Sequence, residues 1–376
     1  MDCPEISVLM SCYNASHFLD ESVASVLHQT FTEFEFIAID DGSRDDTAAI
    51  LHRYAKRDSR MVVIQKDNTG LADSLNVGIH VARGQWIARL DADDIALPTR
   101  LAAQIAFVHS RLQTVLVGSG FIEIDQIGRP VKTHRYPRRH QMLMNNLKGL
   151  SRFFPHSSAM FRSDLVRQIG GYNIRFQKSQ DRDLWLRLAE HGRIACLRTP
   201  LVKVRKHCNS VSHIGGKKVQ LCYGLAATVC HLLREHGTPD PSCTGSQIDW
   251  YAFYDWVTVQ AESTGYVQRR EEWSRVRQSF YLAPNKVASV LHLLGSLLRS
   301  SAIRTIVREK LSRATLAGAL AEAWMRTSAH VTPPSDRKHE VDAVSASAAR
   351  SRPRPCSAFK GNAQQRSACD TESGQR

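Results

Sequence analysis

The sequence predicts an α/β protein built on a mostly parallel central sheet, followed by a C-terminal helical extension and a disordered tail. Three observations predict this. Short apolar runs alternate with helical periodicities from Ile6 to Leu90, a pattern that calls for right-handed crossovers and a largely parallel sheet. After about Gly216 only helical periodicity remains. Beyond Thr332 the chain turns to Ser, Ala, Pro, Arg and Gln, with almost no large apolar residue, too few to bury a core. The expected division is therefore residues 1–215, 216–330 and 331–376.

Each element has its own signal. Ile6–Met10 is a short apolar strand, and Asn14 or Ser16 can cap a helix that carries Leu19, Val23, Val26 and Leu27 on one face. Phe34–Ile39 is a second strand, followed by a helix capped near Ser43 with Ile50, Leu51 and Tyr54 inward. Met61–Ile64 is a third. The Asn68-Thr69-Gly70 turn leads into a helix with Leu71, Leu75, Ile79 and Ala82, and Gln85–Leu90 is a fourth strand. Pro98 opens a helix running to about Arg111. Val115–Gly118, Phe121–Asp125 and Val131–Thr133 read as further strands, and Ser163–Ile169 and Asp181–His191 as helices. The stretch Arg135–Arg152 is basic and contains no acid.

Composition narrows the function. The 376 residues are 43% hydrophobic and 23% charged, ordinary for a globular protein. A net charge of +14 favours an anionic partner. Nine cysteines without a CxxC pair argue against a disulfide framework or zinc ribbon and fit a reducing compartment. No signal peptide and no apolar run long enough to span a bilayer are expected. Between Val267 and Arg313, ten Lys or Arg face three Glu, with Val287, Val290, Leu291, Leu294 and Leu298 at helical spacing. Such a helix can lie on an anionic membrane or pack with a solvated basic face.

The chemistry gathers at strand ends, where ligands bind in open parallel sheets. Asp40 and Asp41 end the second strand; Asp91, Asp93 and Asp94 end the fourth. Three acids in four residues repel one another unless a ligand neutralises them. Asp91-Ala92-Asp93 thus makes a candidate site for a hard cation, Mn2+ or Mg2+, bridging to a diphosphate. A solvated turn is the alternative.

Ile6-Ser7-Val8-Leu9-Met10-Ser11-Cys12-Tyr13-Asn14 resembles the first strand of family 2 glycosyltransferases. So do Ile39-Asp40-Asp41-Gly42-Ser43 with Asp46-Thr47, Gly70-Leu71-Ala72, Asn76-x-Gly78-Ile79, Ala82-Arg83-Gly84, Ile87-Ala88-Arg89-Leu90-Asp91-Ala92-Asp93-Asp94 and Pro98-x-Arg100-Leu101. The family's second half is matched by His156-Ser157-Ser158-x-Met160-Phe161-Arg162, Gly170-Gly171-Tyr172, Asp181-x-Asp183-Leu184-Trp185-Leu186-Arg187-Leu188-Ala189 and His207-x-x-Ser210-x-Ser212. The likeness covers roughly residues 5 to 213.

The resemblance implies a GT-A fold and transfer of a sugar from a nucleoside diphosphate, UDP in the first instance, to an acceptor hydroxyl with inversion. Tyr13 matches the ring that stacks on the base, and Asp41, with Asp40 beside it, the carboxylate that accepts from a uracil-type N–H. Asp91 matches the ribose- or metal-contacting acid and Asp93 the metal ligand; Asp94 caps the next helix or supports the site. Asp181 matches the catalytic base, although Gln180 stands where the family usually has Glu. Physical alternatives exist for each: a packed strand-end tyrosine, or acids favoured by a helix N-terminus. Asp183 can contact the acceptor or pair with Arg187 at i, i+4. His156 and His207 are candidate contacts to phosphate or acceptor. Processive members carry a Gln-x-x-Arg-Trp motif and transmembrane helices; this sequence shows neither. The expected partners are a nucleotide-sugar donor, a glycan or lipid-linked acceptor and an anionic membrane surface, with no specific nucleic acid, in the cytoplasm or at the inner face of the cell membrane. The competing reading is a non-enzymatic basic protein that binds nucleic acid or membrane.

Overall fold

The computed structural model describes residues 4–207, 216–272, 300, 301, 305 and 315–328. The expected tail and most of the Arg-rich stretch, including Val287–Leu298, lie outside the described residues.

Four strands, β1 (Ile6–Cys12), β2 (Phe34–Asp41), β3 (Met61–Lys66) and β4 (Trp86–Arg89), form one side of the sheet and are all parallel. Helices α1 (Ser16–Leu27), α2 (Thr47–Ala55) and α3 (Leu71–Val81) cross between them. The other side is mixed. It holds β5 (Ile95–Ala96), β6 (Thr114–Ile124), β7 (Pro130–His134), β8 (Met160–Arg162) and β9 (Arg193–Arg205). The order is β3-β2-β1-β4-β8-β6-β9-β5, with β7 on β6. The remaining helices are α4 (Arg100–His109), α5 (His140–Lys148), α6 (Ser163–Gln168), α7 (Gln180–Ala189), α8 (Gly216–Glu235), α9 (Gln247–Ser263) and α10 (Leu316–Ser328).

Alternation along the strands gives the sheet two cores. Val8, Met10, Phe36 and Ala38 face α1, α2 and α4, whose Leu19, Val23, Leu51 and Leu101 complete one cluster. Leu9, Ile37, Ile39 and Ile87 face the other way, into a larger cluster with Leu75, Leu184, Trp185, Leu225 and Trp250. The C-terminal helices belong to this second core.

Several expectations change. The two strands read at Val115–Gly118 and Phe121–Asp125 are one strand, because Ser119 and Gly120 continue β6 across a bulge against β9. Short β5 and β8, and long β9, carry no periodicity that separates them from their surroundings. The helix caps also move. Asn14 sits in the left-handed region at φ 47° and Ala15 precedes α1 without a side-chain cap. The first amide of α1, Ser16 N, donates instead to Asp45 Oδ2 at 3.1 Å. Asp46, not Ser43, precedes α2.

Candidate functional site

The register of β1 against β2 pairs Cys12 with Asp40, and that of β1 against β4 pairs Leu9 with Arg89. Both acidic strand ends therefore open on the same carboxyl edge. Asn14 N donates to Ser43 Oγ (3.0 Å) and Asn14 Oδ1 accepts from Arg44 N (2.9 Å), which latches the β1–α1 loop to the β2–α2 loop. Tyr13, on that loop, is 52% exposed, so its ring is open to a ligand. Cys12 beside it is buried, and burial pushes its thiol well up, which leaves no nucleophile there.

The two acids of β2 are used differently. Asp41 accepts from Lys66 Nζ (2.8 Å), Thr69 N (3.0 Å) and Gly70 N (2.9 Å). Burial would raise its pKa, but these donors outweigh it and hold the carboxyl below its usual range. Asp41 thus fixes the turn into α3, and its Oδ2, which takes one of these bonds, keeps a lone pair for a further donor. Asp40 is more loosely held, by Ser43 N at 3.1 Å and Gln65 Nε2 at 3.4 Å.

At the end of β4, Asp91 accepts from Arg89 Nη2 at one oxygen and from Ser157 Oγ (2.6 Å) at the other. Burial raises its pKa, and Arg89, His156 and Ser157 bring it below the usual value. Asp93 Oδ2 accepts from His207 Nε2 at 2.8 Å; burial and the neighbouring Asp91 raise its pKa. Asp94 is buried and bonded to Ser157 Oγ and, at 2.8 Å, to Arg205 N. Burial and the charges of Asp93 and Asp91 push it well up. Ser157 has one proton for two carboxylates. A protonated Asp94 that donates to Ser157, which donates to Asp91, satisfies all three groups.

Two fully buried arginines lie beneath this edge. Arg100 Nη2 donates to the carbonyls of Arg89 (2.6 Å) and Ala159 (3.3 Å), and its Nε to Gln104 Oε1 (3.1 Å). Burial and the charge of Arg89 lower its pKa to about 9.

The second half of the chain closes the site. His156 Nε2 and the Tyr172 hydroxyl are 2.6 Å apart. Burial and Arg89 lower the His156 pKa to about 4, while Asp91 and Asp181 both pull it up. His156 therefore lies within electrostatic reach of a strand-end acid and of Asp181, in the first turn of α7. Asp181 is partly exposed, and its Oδ1 accepts from Arg182 N at 2.8 Å. Asp183 is turned away. It is fully buried and accepts from Arg187 Nε (2.9 Å) and Nη2 (2.7 Å). The i, i+4 pairing expected from spacing is the one formed, so Asp183 offers no acceptor contact. His207 leans on Asp93 and packs near Phe18, ring centroids 5.1 Å apart.

Sequence reasoning assigned no role to Arg89, Ser157, Tyr172 or Arg205. All but Arg205 stand within the motifs above; Arg89 meets Asp91 two residues on, Tyr172 meets His156 16 residues back, and Ser157 meets Asp91 66 residues back. Arg205 Nε donates to the Asp93 carbonyl (3.1 Å), its guanidinium pairs with Glu21, and it sits 4.5 Å from the Phe18 ring centroid. It comes to the site only because β9 runs parallel to β6.

Residues 7–170 match the family model described as glycosyl transferase family 2. The chain is 38% identical over 208 residues to EpsE of Bacillus subtilis, which is named as a glycosyltransferase, covering 54% of this chain and 73% of that protein. It is 32% identical over 213 residues to the amylovoran biosynthesis glycosyltransferase AmsE of Erwinia amylovora, covering 55% and 78%. It is also 32% identical over 184 residues to the O-antigen biosynthesis glycosyltransferase WbnJ of Escherichia coli, covering 49% and 71%. In structure it resembles S. aureus TarS 1-349 in complex with UDP-GlcNAc, with a TM-score of 0.52, 19% identity and coverage of 61% and 66%. A sheet whose acidic strand ends share one edge, carried by a sequence this close to proteins named for sugar transfer, is that of a transferase enzyme with the GT-A fold, and the chain belongs to glycosyltransferase family 2.

Proposed function

We propose that this enzyme moves a single sugar from a nucleoside-diphosphate sugar, UDP-linked, to a hydroxyl of a glycan or lipid-linked acceptor, with inversion at the anomeric carbon. The observation that carries this reading is the shared carboxyl edge, where exposed Tyr13 and the acids Asp40, Asp91 and Asp93 stand at the ends of parallel strands, with Ser157 and His207 of the second half bonded to Asp91 and Asp93. The charges of Asp91 and Asp181 both act on His156. The names of AmsE and WbnJ support a polysaccharide as the product. Residues 1–215 form the transferase unit in this reading, 216–330 a helical region beside it and 331–376 a separate tail. Among the described residues no helix is long and apolar enough to cross a membrane. We place the reaction on the cytoplasmic side, with a lipid-linked acceptor reached at the membrane surface.

The donor sits on the carboxyl edge, its base against Tyr13, Asp40 and Asp41, the last of which also holds the adjoining turn. A divalent ion, Mn2+ or Mg2+, fits the donor set. Asp93 and His207 bring an oxygen and a nitrogen ligand together, 2.8 Å apart. Asp91 stands beside them, with its oxygens bonded to Arg89 and Ser157. Among the described residues no three His, Cys, Asp or Glu side chains converge, so the donor diphosphate and water would supply the remaining positions. When bound, the ion offsets charge that develops on the departing diphosphate. Asp181 stands in the first turn of α7, at the positive end of the helix dipole. Its carboxylate takes the proton of the acceptor hydroxyl as that oxygen bonds to the anomeric carbon and the bond to the diphosphate breaks.

A panel of sugar nucleotides with Mn2+ or Mg2+, read by product NMR, tests the reading. Asp181→Asn should lower transfer by about 10²–10⁴-fold with nucleotide binding retained, and Asp93→Asn should remove the metal-dependent part of nucleotide binding. Undiminished transfer by folded Asp181→Asn would exclude Asp181 as the base.

A further inference from the structure

A cavity of about 1140 Å³ opens away from this edge. It lies where α4 ends and where β6, β9 and α5 begin. Because β6 and β9 run parallel to each other, and β8 runs antiparallel to both β6 and β4, the starts of β6 and β9 lie on the edge opposite the acids. The strand from Thr199 to Arg205 alone spans about 20 Å at the usual rise, so the cavity is separate from the donor site.

Its lining contains Arg111, Arg138, Arg139, Arg193 and Arg198 and no Asp or Glu. All five arginines are exposed, and among the described residues no ion pair involves any of them. Two come from the acid-free basic stretch noted in the sequence; the other three are brought in from the turn after α4 and from β9. The N-terminus of α5 adds to the field. Arg139 precedes it without a side-chain cap, and His140 and Gln141 of its first turn line the cavity. His140 Nδ1 accepts from Ile194 N at 3.1 Å, which leaves Nε2 as a donor. The floor is apolar, with Ile194, Ala195 and Cys196 buried.

Five like charges around one cavity repel one another and raise the local concentration of anions. Guanidinium forks match phosphate oxygens in pairs. We infer that this cavity binds phosphate groups, carried either by a soluble polyphosphate or by the headgroups of anionic phospholipid. This inference does not depend on the donor-site reading.

The test uses the full chain with EDTA present, so that no divalent ion supports binding at the acidic edge. Tripolyphosphate is titrated by calorimetry, and vesicles of phosphatidylglycerol and phosphatidylcholine are followed by co-sedimentation. The Arg111→Gln/Arg139→Gln/Arg193→Gln variant should weaken binding at least tenfold. A control, Lys56→Gln/Arg57→Gln/Lys217→Gln, removes the same charge from exposed positions elsewhere and should change it less than twofold. Saturable, cavity-dependent binding of tripolyphosphate assigns a soluble ligand; cavity-dependent binding of anionic vesicles alone assigns a headgroup. Either supports the inference. Binding to neither probe, or equal loss in both variants, overturns it. If the triple variant does not fold, the three single variants are read against Lys56→Gln by the same criterion, each expected to weaken binding about threefold.

Discussion

His156 shows how a single residue records its surroundings. It stays neutral because burial and Arg89 outweigh the pull of Asp91 and Asp181. Its folded pKa of about 4 lies below the 6.5 of an unperturbed histidine. Between these values the unfolded chain binds a proton that the folded one does not, so this residue makes stability rise with pH across that window and level off above it. The slope from this group is at most about 1.4 kcal/mol per pH unit. A His156→Gln variant should flatten the pH dependence of the denaturation midpoint between pH 4 and 6.5. In NMR of the intact protein the His156 ring signals should not move between pH 5.5 and 8. Titration near 6.5 would contradict the burial argument.

At the scale of the element, α7 presents Asp181 at the site and anchors itself with Asp183. Arg187, held by Asp183, also donates to the carbonyls of Ile169 (3.0 Å) and Gly171 (2.7 Å). Next along the chain, Tyr172 N donates to Asn76 Oδ1 (2.7 Å) and its carbonyl accepts from Asn76 Nδ2 (2.8 Å). One line of bonds thus joins α7, the turn and α3, and it sets the hydroxyl that meets His156. Gly171 has φ +69°, and a Cβ there would meet Asn76 Oδ1 at 2.4 Å, so only glycine fits the turn. Asp183→Ala would strand the buried Arg187 charge. It should cost about 3–5 kcal/mol by urea denaturation, whereas the exposed ion pair Arg326–Glu322 should contribute little when broken. A loss below 1 kcal/mol for Asp183→Ala would remove α7 anchoring as its role.

Over the whole molecule, the larger core joins the sheet to helices far along the chain. Trp250 of α9 is fully buried, its ring centroid 4.8 Å from that of Phe176. Phe253 and Trp324 bring α9 and α10 together at 4.9 Å. The C-terminal helices therefore complete the face of the sheet that holds α7. Trp250→Ala should lower stability by about 3–5 kcal/mol, with transfer per folded molecule unchanged. A lowered turnover at full folding would show that α9 reaches the site more directly than its packing suggests.

Strands β1 to β4, the helices between them and the acids at their ends were legible in the amino-acid sequence, because period-two and period-3.6 patterns are local and the acids follow each strand directly. The pairing of Asp183 with Arg187 was legible for the same reason, since four residues make one helical turn. What lay beyond reach depended on contacts between distant segments. Ser157 meets Asp91, Arg205 and His207 meet Asp94 and Asp93, and Lys66 donates to Asp41. Strands β5, β8 and β9 exist as strands through their partners. The arginine cavity gathers side chains from α4, β9 and the segment leading into α5. Local periodicity follows from backbone geometry, which each short segment carries within itself; a shared proton, a buried ion pair or a cluster of like charges exists only once the chain has brought remote residues within bonding distance.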